Sequence, residues 1–520
     1  MTTKLNLPQG MTREQFRAAV AEYAAVVGSD NVYVDIDSMT PYLKAYIPVD
    51  EALYAPSGAI AVESVEQIQA VLKVSERFRI PLWPISTGRN YGYGAALPAV
   101  PGQMLLDLRK MNRILEVDPV LGTALVEPGV TYAQLYRYLQ EKDIPLWLAS
   151  PGPGPLVGPV GQALIRGEAY TTYAEQFSSC CGMEVVLANG EILRTGLGGI
   201  EGTTAWQSNK YGYGPYLDGI FSQSNFGIVT KLGFWLMPQP EAYEIFTIAF
   251  PDYAHIDQAV DLGRYLKLRD IVGSPMMIAS TATGMALGGV PRSIIKPGAG
   301  PLTREDIQNF ATANGQPALT MSGALYGSPE QIAAGIAIIR RELAKTNGTL
   351  MLGDDLKVLP PALFKHLHHM HTGTPDLQEF ALLNWIGGGG LIWFAPICPT
   401  RGDEAARQVD MMAELSEEFA FDFMEAFFLN GRSMVHLYNL YYDRNDPDQV
   451  ARAYAFFAKA QAVFGKAGYG VYRSNPAFMR QTAEIYGQGQ IRSNSAIKRA
   501  LDPHDLIAPG MSGITTRSGL

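Results

Sequence analysis

The chain has 520 residues, enough for roughly two or three domains, and its 47% hydrophobic and 18% charged residues are typical of a compact protein with a large core. Its net charge of −9 at pH 7 argues against nucleic acid or an anionic membrane as the main partner. No apolar run reaches the roughly 18 residues of a membrane span. Because the N-terminal residues contain no apolar segment typical of a signal peptide, we expect a cytoplasmic location by default.

From residue 59 onward, predicted strands and helices alternate along the chain. A strand at 59–63 leads through Ser64, a typical helix N-cap residue, into a helix at 65–78 with one apolar face. The strand at 80–86 ends in the sequence STGRNYGYGAA, whose glycines let backbone N–H groups approach an anion such as a phosphate. A glycine cluster alone more often marks a plain turn, so this loop needs support from the rest of the chain.

The next segments favour an α+β domain over a single doubly wound sheet, because many short strands are mixed with helices. We predict a helix at 131–142 and a hairpin at 183–196 that turns at Asn189 and Gly190. Further strands are predicted at 103–108, 113–118, 123–129 and 144–150. From Pro238 onward, strand-then-helix pairs predict a second sheet with helices on one face. These pairs are 243–250 with 256–268, 319–327 with 328–343, and 391–397 with 402–419.

The cysteines and histidines give no clear sign of a metal or disulfide site. Three cysteines cannot form a disulfide framework, so we expect Cys180, Cys181 and Cys398 to be buried free thiols. A disulfide between the adjacent Cys180 and Cys181 is the less favoured alternative. The run HLHHMH at 366–371 makes a metal site conceivable. Since it contains no cysteine or carboxylate, we favour a packed or solvated helix face and predict no metal.

Several common chemistries are excluded by missing motifs. The sequence has no P-loop, no G-x-G-x-x-G that opens a helix after the first strand, no H-E-x-x-H and no G-x-S-x-G. What remains is a glycine-rich chain with 26 tyrosines. Tyrosines beside an anion-binding loop either pack in the core or bind an aromatic ligand, and composition leaves both alternatives open.

Several stretches, in order along nearly the whole chain, resemble the vanillyl-alcohol oxidase and p-cresol methylhydroxylase flavoproteins, with the greater likeness to the methylhydroxylase branch. The stretches are 86–96, 124–136, 182–196, 212–238, 377–380, 387–396, 471–475 and 506–514. This resemblance implies an α+β, two-domain FAD-binding fold of the p-cresol methylhydroxylase (PCMH) type. The FAD-binding domain would span 1–236, an α+β cap domain 237–470, and a C-terminal segment, 471–520, would return to the FAD domain.

The resemblance implies FAD as the cofactor. The glycine-rich loop is expected to wrap the FAD pyrophosphate with backbone N–H groups, and the stretch SNFGIV is expected to close around the flavin and adenine. The implied cofactor-binding residues are Ser86, Thr87, Gly88, Arg89, Asn90, Tyr91, Gly92, Glu127, Pro128, Gly129, Gly158, Gly161, Ser224, Asn225, Gly227, Ile228, Val229 and Arg473.

The family's covalent flavin link has no counterpart in this sequence. A tyrosine carries the link in one branch of the family and a histidine carries it in the other. Leu383 and Leu391 stand at the matching positions. Leucine can form neither bond, so we expect FAD to be bound non-covalently unless a nearby histidine supplies the link.

The resemblance implies oxidation of a para-substituted, lignin-related phenol at its benzylic carbon. Hydride would leave for the flavin and give a p-quinone methide, and water would add to it or a resulting alcohol would be oxidised further. Glu379 would be the carboxylate nearest the flavin, acting as a base or as a structural partner. The implied catalytic residues are Tyr93, Tyr472, Arg473 and Glu379, and the implied substrate contacts are Tyr93, Tyr170, Trp393, Glu425, Tyr472 and Met511.

The benzylic end of the site departs from the family pattern. Where the family has a glutamate and a histidine, we align Ala426 and Val435, with Glu425 and His436 displaced by one position. Met511 stands where the family has an arginine. A site rebuilt in this way also allows dehydrogenation or rearrangement without water addition, or a binding role without redox chemistry.

The resemblance leaves the electron acceptor and the assembly open. It implies either a c-type cytochrome, which would suggest a periplasmic setting, or molecular oxygen as the electron acceptor. It also implies a homodimer.

Overall fold

In the computed structural model, which describes residues 5–518, the first part of the chain forms two sheets and a short strand pair. Its helices are α1 (Arg13–Val27), α2 (Ile36–Leu43), α3 (Val65–Phe78), α4 (Tyr132–Glu141) and α5 (Pro159–Leu164). Its strands are β1 (Val32–Tyr33), β2 (Gly58–Ala61), β3 (Leu82–Ile85), β4 (Met104–Asp107), β5 (Ile114–Asp118), β6 (Thr123–Val126), β7 (Leu146–Trp147), β8 (Cys180–Val186), β9 (Ile192–Arg194), β10 (Ile228–Trp235) and β11 (Met237–Pro238).

These strands form two small sheets and one strand pair. β1, β2, β4 and β3 form a four-stranded sheet in that order, in which β2, β4 and β3 run parallel. β5, β6, β10, β8 and β9 form a five-stranded antiparallel sheet, and β7 pairs with β11. Within the strand predicted at 144–150, only the two residues of β7 form a strand. β7 ends there because the proline-rich segment that follows cannot continue a ladder of backbone hydrogen bonds.

The predicted strand–helix–strand unit before the glycine-rich loop is confirmed. Helix α3 begins after Ser64, whose hydroxyl accepts a hydrogen bond from the backbone N–H of Gln67. Its apolar face buries Ile68 and Val71 in the core. The hairpin of β8 and β9 is also confirmed, and Gly190 turns it with a φ of 85°. The unit thus delivers the glycine-rich loop at the end of β3.

The second part of the chain forms an eight-stranded antiparallel sheet. Its strands are β12 (Ala242–Phe250), β13 (Met276–Ser280), β14 (Leu319–Gly327), β15 (Thr349–Leu352), β16 (Gly389–Phe394), β17 (Ile397–Pro399), β18 (Glu425–Leu429) and β19 (Ser433–Asp443). Its helices are α6 (Ile256–Leu268), α7 (Thr281–Leu287), α8 (Arg304–Ala313), α9 (Pro329–Leu343), α10 (Pro361–His371), α11 (Gly402–Glu418) and α12 (Pro447–Lys466). The strand order is β15, β12, β14, β13, β18, β19 and β16, with β17 paired to β19.

Alternation along the strands gives this sheet two different faces. Helices α6, α9, α11 and α12 pack on one face, where Phe394 of β16 contacts Phe457 and Phe464 of α12 at ring-centroid distances of 5.5 and 5.2 Å. Side chains on the opposite face, such as that of the neighbouring Trp393, border a cavity against the first part of the chain. The sheet therefore supplies one wall of the candidate site.

The C-terminal residues pack back on the first part of the chain and include α13 (Met479–Glu484) and α14 (Gln488–Leu501). The backbone N–H of Ala508 donates to the carbonyl of Leu82 in β3 at 2.6 Å. The side-chain amide of Asn225 donates to the carbonyl of Ala508 at 2.9 Å. The domain boundaries at 236 and 470 stay a prediction.

Two sequence-based expectations about the whole chain are checked by the structure. Cys180, Cys181 and Cys398 are buried free thiols, as predicted. Within residues 5–518, no helix combines the length and the apolar character that a membrane crossing requires.

Candidate active site

The glycine-rich loop leaves β3 and bends through left-handed backbone conformations that favour glycine. Gly88, Gly92 and Gly94 have φ values of 66°, 73° and 95°. At Gly92 there is also no room for a side chain, because an added Cβ would overlap the indole ring of Trp393. The loop is thus pressed against the sheet of the second part.

This loop borders a cavity of ≈ 200 Å³, here called the cofactor cavity, between the first part of the chain and the C-terminal residues. Most of the predicted cofactor-binding residues line it: Ser86, Thr87, Gly88, Arg89, Asn90, Pro128, Gly158, Gly161, Ser224, Asn225, Gly227, Ile228 and Val229. The structure therefore brings these scattered segments together around one space.

The polar atoms of this cavity fit a cofactor such as FAD. Ser224 Oγ and Asn225 Oδ1 are buried, and neither has a hydrogen-bond partner among the residues that the structure describes. Such atoms are costly unless a ligand satisfies them. Asn90, Gln223 and Met511 line both this cavity and an adjoining groove of ≈ 420 Å³. The two adjoining spaces together suit an elongated ligand.

Two residues predicted to bind the cofactor lie elsewhere. The carboxylate of Glu127 is buried against Arg113, whose backbone N–H donates to it at 2.8 Å and whose guanidinium donates at 2.6 Å. Gly129 allows two chain segments to pack closely, because an added Cβ would overlap the carbonyl oxygen of Arg109. Neither residue lines the cavity: both hold the loop after β6, and their role in cofactor binding stays a prediction.

The remaining predicted cofactor residues border other spaces nearby. Tyr91 and Gly92 line a cavity of ≈ 30 Å³ together with Leu383 and Leu391. The two leucines that replace the family's linking residues are therefore neighbours in space, although eight positions separate them in the sequence. Arg473 lines the groove and the substrate cavity described next.

A second cavity of ≈ 100 Å³, here called the substrate cavity, lies between the glycine-rich loop and the eight-stranded sheet. It shares Asn90, Tyr93 and Gln162 with the cofactor cavity, so the two spaces adjoin. Of the predicted catalytic and substrate-binding residues, it is lined by Tyr93, Tyr170, Glu379, Trp393, Tyr472 and Arg473.

Tyr93, Tyr472 and Arg473 form a cluster at one end of the substrate cavity. The tyrosine rings are nearly perpendicular at 88°, and their centroids lie 6.2 Å apart. The guanidinium carbon of Arg473 is 5.4 Å from the Tyr93 ring and 4.9 Å from the Tyr472 ring. Burial raises the pKa of both tyrosines, and the charge of Arg473 offsets this only in part, so both hydroxyls remain protonated donors.

Two polar groups of this cluster have no protein partner. Tyr93 Oη and Arg473 Nη2 are buried, and residues 5–518 offer neither of them a hydrogen bond. Arg473 is held in place by its Nε, which donates to the carbonyl of Ile165 at 3.1 Å. A buried cation next to protonated hydroxyl groups suits an oxyanion such as a phenolate.

Glu379 lies in the wall of the substrate cavity, on the 3₁₀ helix Gln378–Asn384. Its carboxylate accepts a hydrogen bond from Tyr170 Oη. Gly152 packs directly against this carboxylate and leaves no room for a Cβ. Burial raises the pKa of Glu379, an effect that the charge of His366 and the Tyr170 hydrogen bond oppose.

Glu425 does not line the substrate cavity, contrary to prediction. It lies on the helix-covered face of the sheet, where its carboxylate is 2.7 Å from His436 Nε2 and accepts a hydrogen bond from Tyr253 at 2.6 Å. The neighbouring Ala426 lines the cavity instead. Because strand side chains alternate, a displacement by one position moves a residue to the opposite face.

Met511, predicted as a substrate contact, does not line the substrate cavity either. It borders the cofactor cavity and the groove. Conversely, sequence analysis missed five polar residues of the substrate cavity: Gln162, Glu168, Thr283, His366 and Asn439. Asn439 Oδ1 accepts a hydrogen bond from Trp393 Nε1 at 2.6 Å and so fixes that ring. Of these residues, only His366 had a sequence signal, the histidine run at 366–371.

The histidine run lies on α10, as its pattern suggested, and faces the protein interior in part. His366 and His371 are each 2% exposed. Burial lowers the pKa of His371 to about 4. No group of three potential metal ligands is found in the described part of the chain, 5–518. A partly packed helix face accounts for the run.

Glu168 lines the substrate cavity near Arg473, and its ionisation is expected to make stability and ligand binding depend on pH. Burial raises its pKa to about 8, although Asn430 and Arg473 lower it. Because this exceeds the unfolded value, the neutral form favours folding: the stabilisation is complete below pH about 4.5 and is lost as pH rises toward about 8.

Ionisation of Glu168 also places a negative charge beside the position where Tyr93, Tyr472 and Arg473 would hold an oxyanion. We expect phenol affinity to fall at least about tenfold above pH 8, and E168Q to abolish that fall. Identical pH profiles of the dissociation constant in both proteins would contradict this role.

Comparison with known proteins agrees with this geometry. A sequence family described as an FAD binding domain matches residues 56–196. The 4-cresol dehydrogenase (hydroxylating) flavoprotein subunit of Pseudomonas putida is 42% identical over 98% of this chain and 97% of that protein. A crystal structure of p-cresol methylhydroxylase with substrate bound matches with a TM-score of 0.96 at 41% identity, over 98% of this chain and 99% of that one. The 4-ethylphenol oxidase from Gulosibacter chungangensis, in its isoeugenol complex, matches with a TM-score of 0.94 at 31% identity, over 98% and 99%.

Proposed function

Because the chain belongs to the family of FAD-dependent oxidoreductases that includes the 4-cresol dehydrogenase flavoprotein subunit, we propose that it oxidises a para-substituted phenol at the benzylic carbon. The observation that carries this proposal is the cluster of Tyr93, Tyr472 and Arg473, with its two buried polar groups that lack a protein partner within residues 5–518. Lignin-related phenols are the substrate class we favour.

The cluster would act by holding the phenol oxygen as a phenolate. Hydroxyl donors and a cation stabilise negative charge on this oxygen in a site that excludes water. A phenolate pushes electrons toward its para position, which favours loss of hydride from the benzylic carbon and formation of a p-quinone methide. The aromatic walls, including Trp393 and Phe428, would hold the substrate ring between the loop and the sheet.

The residues of the cofactor cavity would hold FAD, which when bound supplies the acceptor for the hydride. We propose that this FAD is not covalently linked, because Leu383 and Leu391 offer no nucleophile or hydroxyl at the family's linking positions. Acid precipitation of the purified yellow protein is therefore expected to release all flavin absorbance into the supernatant. A precipitate that stays yellow after washing would contradict non-covalent binding.

Two outcomes are open for the p-quinone methide, and the cavity wall supplies a reason to consider the second. Water addition gives a benzylic alcohol, which can be oxidised further. Desaturation without water addition is the second candidate, because the sheet turns Ala426, Phe428 and Leu437 toward the cavity. Turnover of 4-ethylphenol in oxygen-18 water separates them, since only the alcohol incorporates the label.

This experiment also tests the proposal itself. Consumption of 4-ethylphenol with formation of labelled alcohol or of unlabelled vinylphenol supports benzylic oxidation. No consumption by FAD-loaded protein with any electron acceptor would refute it. A c-type cytochrome and oxygen are the acceptors we propose to compare.

A further inference from the structure

Water addition in the substrate cavity needs a group that takes a proton from the water, and the sheet supplies none. The side chains that the sheet turns toward the cavity are Met277, Trp393, Ala426, Phe428, Leu437 and Asn439. None of these types accepts a proton from water at neutral pH. Glu425 and His436, which have suitable chemistry, are buried on the other face. The proton acceptor must therefore lie in a part of the cavity wall that these strands do not form.

His366 of α10 lies in this part of the wall, outside the strands. It is 2% exposed and lines the substrate cavity. Its Nδ1 is 3.0 and 2.9 Å from the two carboxylate oxygens of Asp376, so Nδ1 carries the proton of the neutral ring and Nε2 carries the lone pair. Nε2 is buried, and none of the described residues forms a hydrogen bond with it. In the His366 ring, Nδ1 is thus engaged by Asp376 and Nε2 is available to accept a proton.

Asp376 is placed to stabilise a positive charge on His366. Burial raises the pKa of Asp376, but its hydrogen bonds with His366, Gln378 and His369 oppose burial, and the net pKa is lowered. The backbone N–H of Gln378 donates to one oxygen of Asp376 at 3.1 Å. From the outer side, His369 Nδ1 lies 3.0 Å from the other oxygen. The pair resembles the histidine–carboxylate arrangements that hold a general base in one tautomer.

We infer that His366 is the proton acceptor when water adds to the quinone methide, and that Asp376 positions it. The inference rests on the proposed function. The water oxygen bonds to the benzylic carbon while one water O–H bond breaks and its proton moves to His366 Nε2. The electron pair of the exocyclic double bond returns to the ring, whose oxygen becomes a phenolate again. Glu379 is less suited, because Tyr170 already occupies one oxygen of its carboxylate.

The test compares H366N with H369N in the FAD-loaded enzyme. An asparagine amide nitrogen replaces Nδ1 and can keep the contact with Asp376, but it leaves no base at the position of Nε2. H369N makes the same exchange at the other histidine that contacts this carboxylate through Nδ1, and His369 does not line the cavity. With 4-ethylphenol in oxygen-18 water, H366N is expected to lower the labelled alcohol formed per flavin reduced at least about tenfold. H369N should keep the wild-type ratio.

Two further results would overturn the inference. An unchanged alcohol-to-vinylphenol ratio in H366N, with a collapsed ratio in E379Q, would assign the proton transfer to Glu379. Failure of the wild type to reduce its flavin would instead refute the proposed function. A readout independent of turnover is nitrogen-15 histidine NMR of the resting protein: the Nδ1–H signal of His366 should be present in the wild type and lost in D376N. A signal unaffected by D376N would refute the positioning role.

Discussion

Replacing Arg473 with methionine is expected to lower the rate constant for flavin reduction by a para-alkylphenol about 10²–10³-fold. Methionine keeps much of the side-chain volume but removes the buried cation beside Tyr93 and Tyr472. The phenolate would then develop in an apolar space without a charge to stabilise it. Stopped-flow absorbance under anaerobic conditions measures this rate constant.

The matched control is R166M. Arg166 borders the same groove as Arg473, and its guanidinium donates to Ser222 Oγ at 3.0 Å, but it does not line the substrate cavity. R166M should reduce its flavin within a few-fold of the wild-type rate. Flavin content is measured in both variants, since Arg473 also borders the groove next to the cofactor cavity. Equal rates for R473M and R166M at equal flavin content would contradict the proposed role of the guanidinium.

Gly92→Ala is expected to lower the free energy of unfolding by both a backbone cost and a steric cost. The backbone φ of 73° costs a non-glycine residue about 1–2 kcal/mol. The added Cβ would also overlap the Trp393 ring, and such overpacking costs about 1–3 kcal/mol more. Because Trp393 lines the substrate cavity, phenol binding should weaken as well. Urea denaturation of the holoenzyme and phenol titration measure the two effects.

Gly202→Ala separates the backbone cost from the steric cost. Gly202 has nearly the same φ, 71°, and an added Cβ there meets no atom within 4 Å. G202A should therefore show only the backbone part of the loss and bind phenols like the wild type. If G92A and G202A had the same urea midpoint, the close packing of Trp393 against the loop would be refuted.

The locally determined elements were predictable from sequence. Helix α3 was predicted at 65–78 and strand β14 at 319–327, and the structure gives both the same bounds. An N-cap serine and an apolar face at helical spacing determine α3, and these signals lie within a few turns of one another. Most of the loop residues that the family resemblance implied for the cofactor also line the cofactor cavity, because the resemblance covers the glycine-rich loop at 86–96.

The parts of the site that depend on strand register and on distant packing were not predictable. Glu425 has suitable chemistry for a cavity wall, but its position in β18 turns it to the helix-covered face. In the sequence, His366 is one of several histidines in a run, and only the fold brings it to the substrate cavity. Its partner Asp376 lies beyond the end of α10, where no periodic pattern links the two.

The most direct measurement of the central claim is an anaerobic titration of the FAD-loaded protein with a para-alkylphenol and with its O-methyl ether, followed by flavin absorbance. Phenolate-driven oxidation at the cluster of Tyr93, Tyr472 and Arg473 predicts that the phenol bleaches the flavin and the ether does not, because the ether has no acidic proton to lose. Bleaching by both compounds, or by neither across a panel of para substituents, would contradict the account.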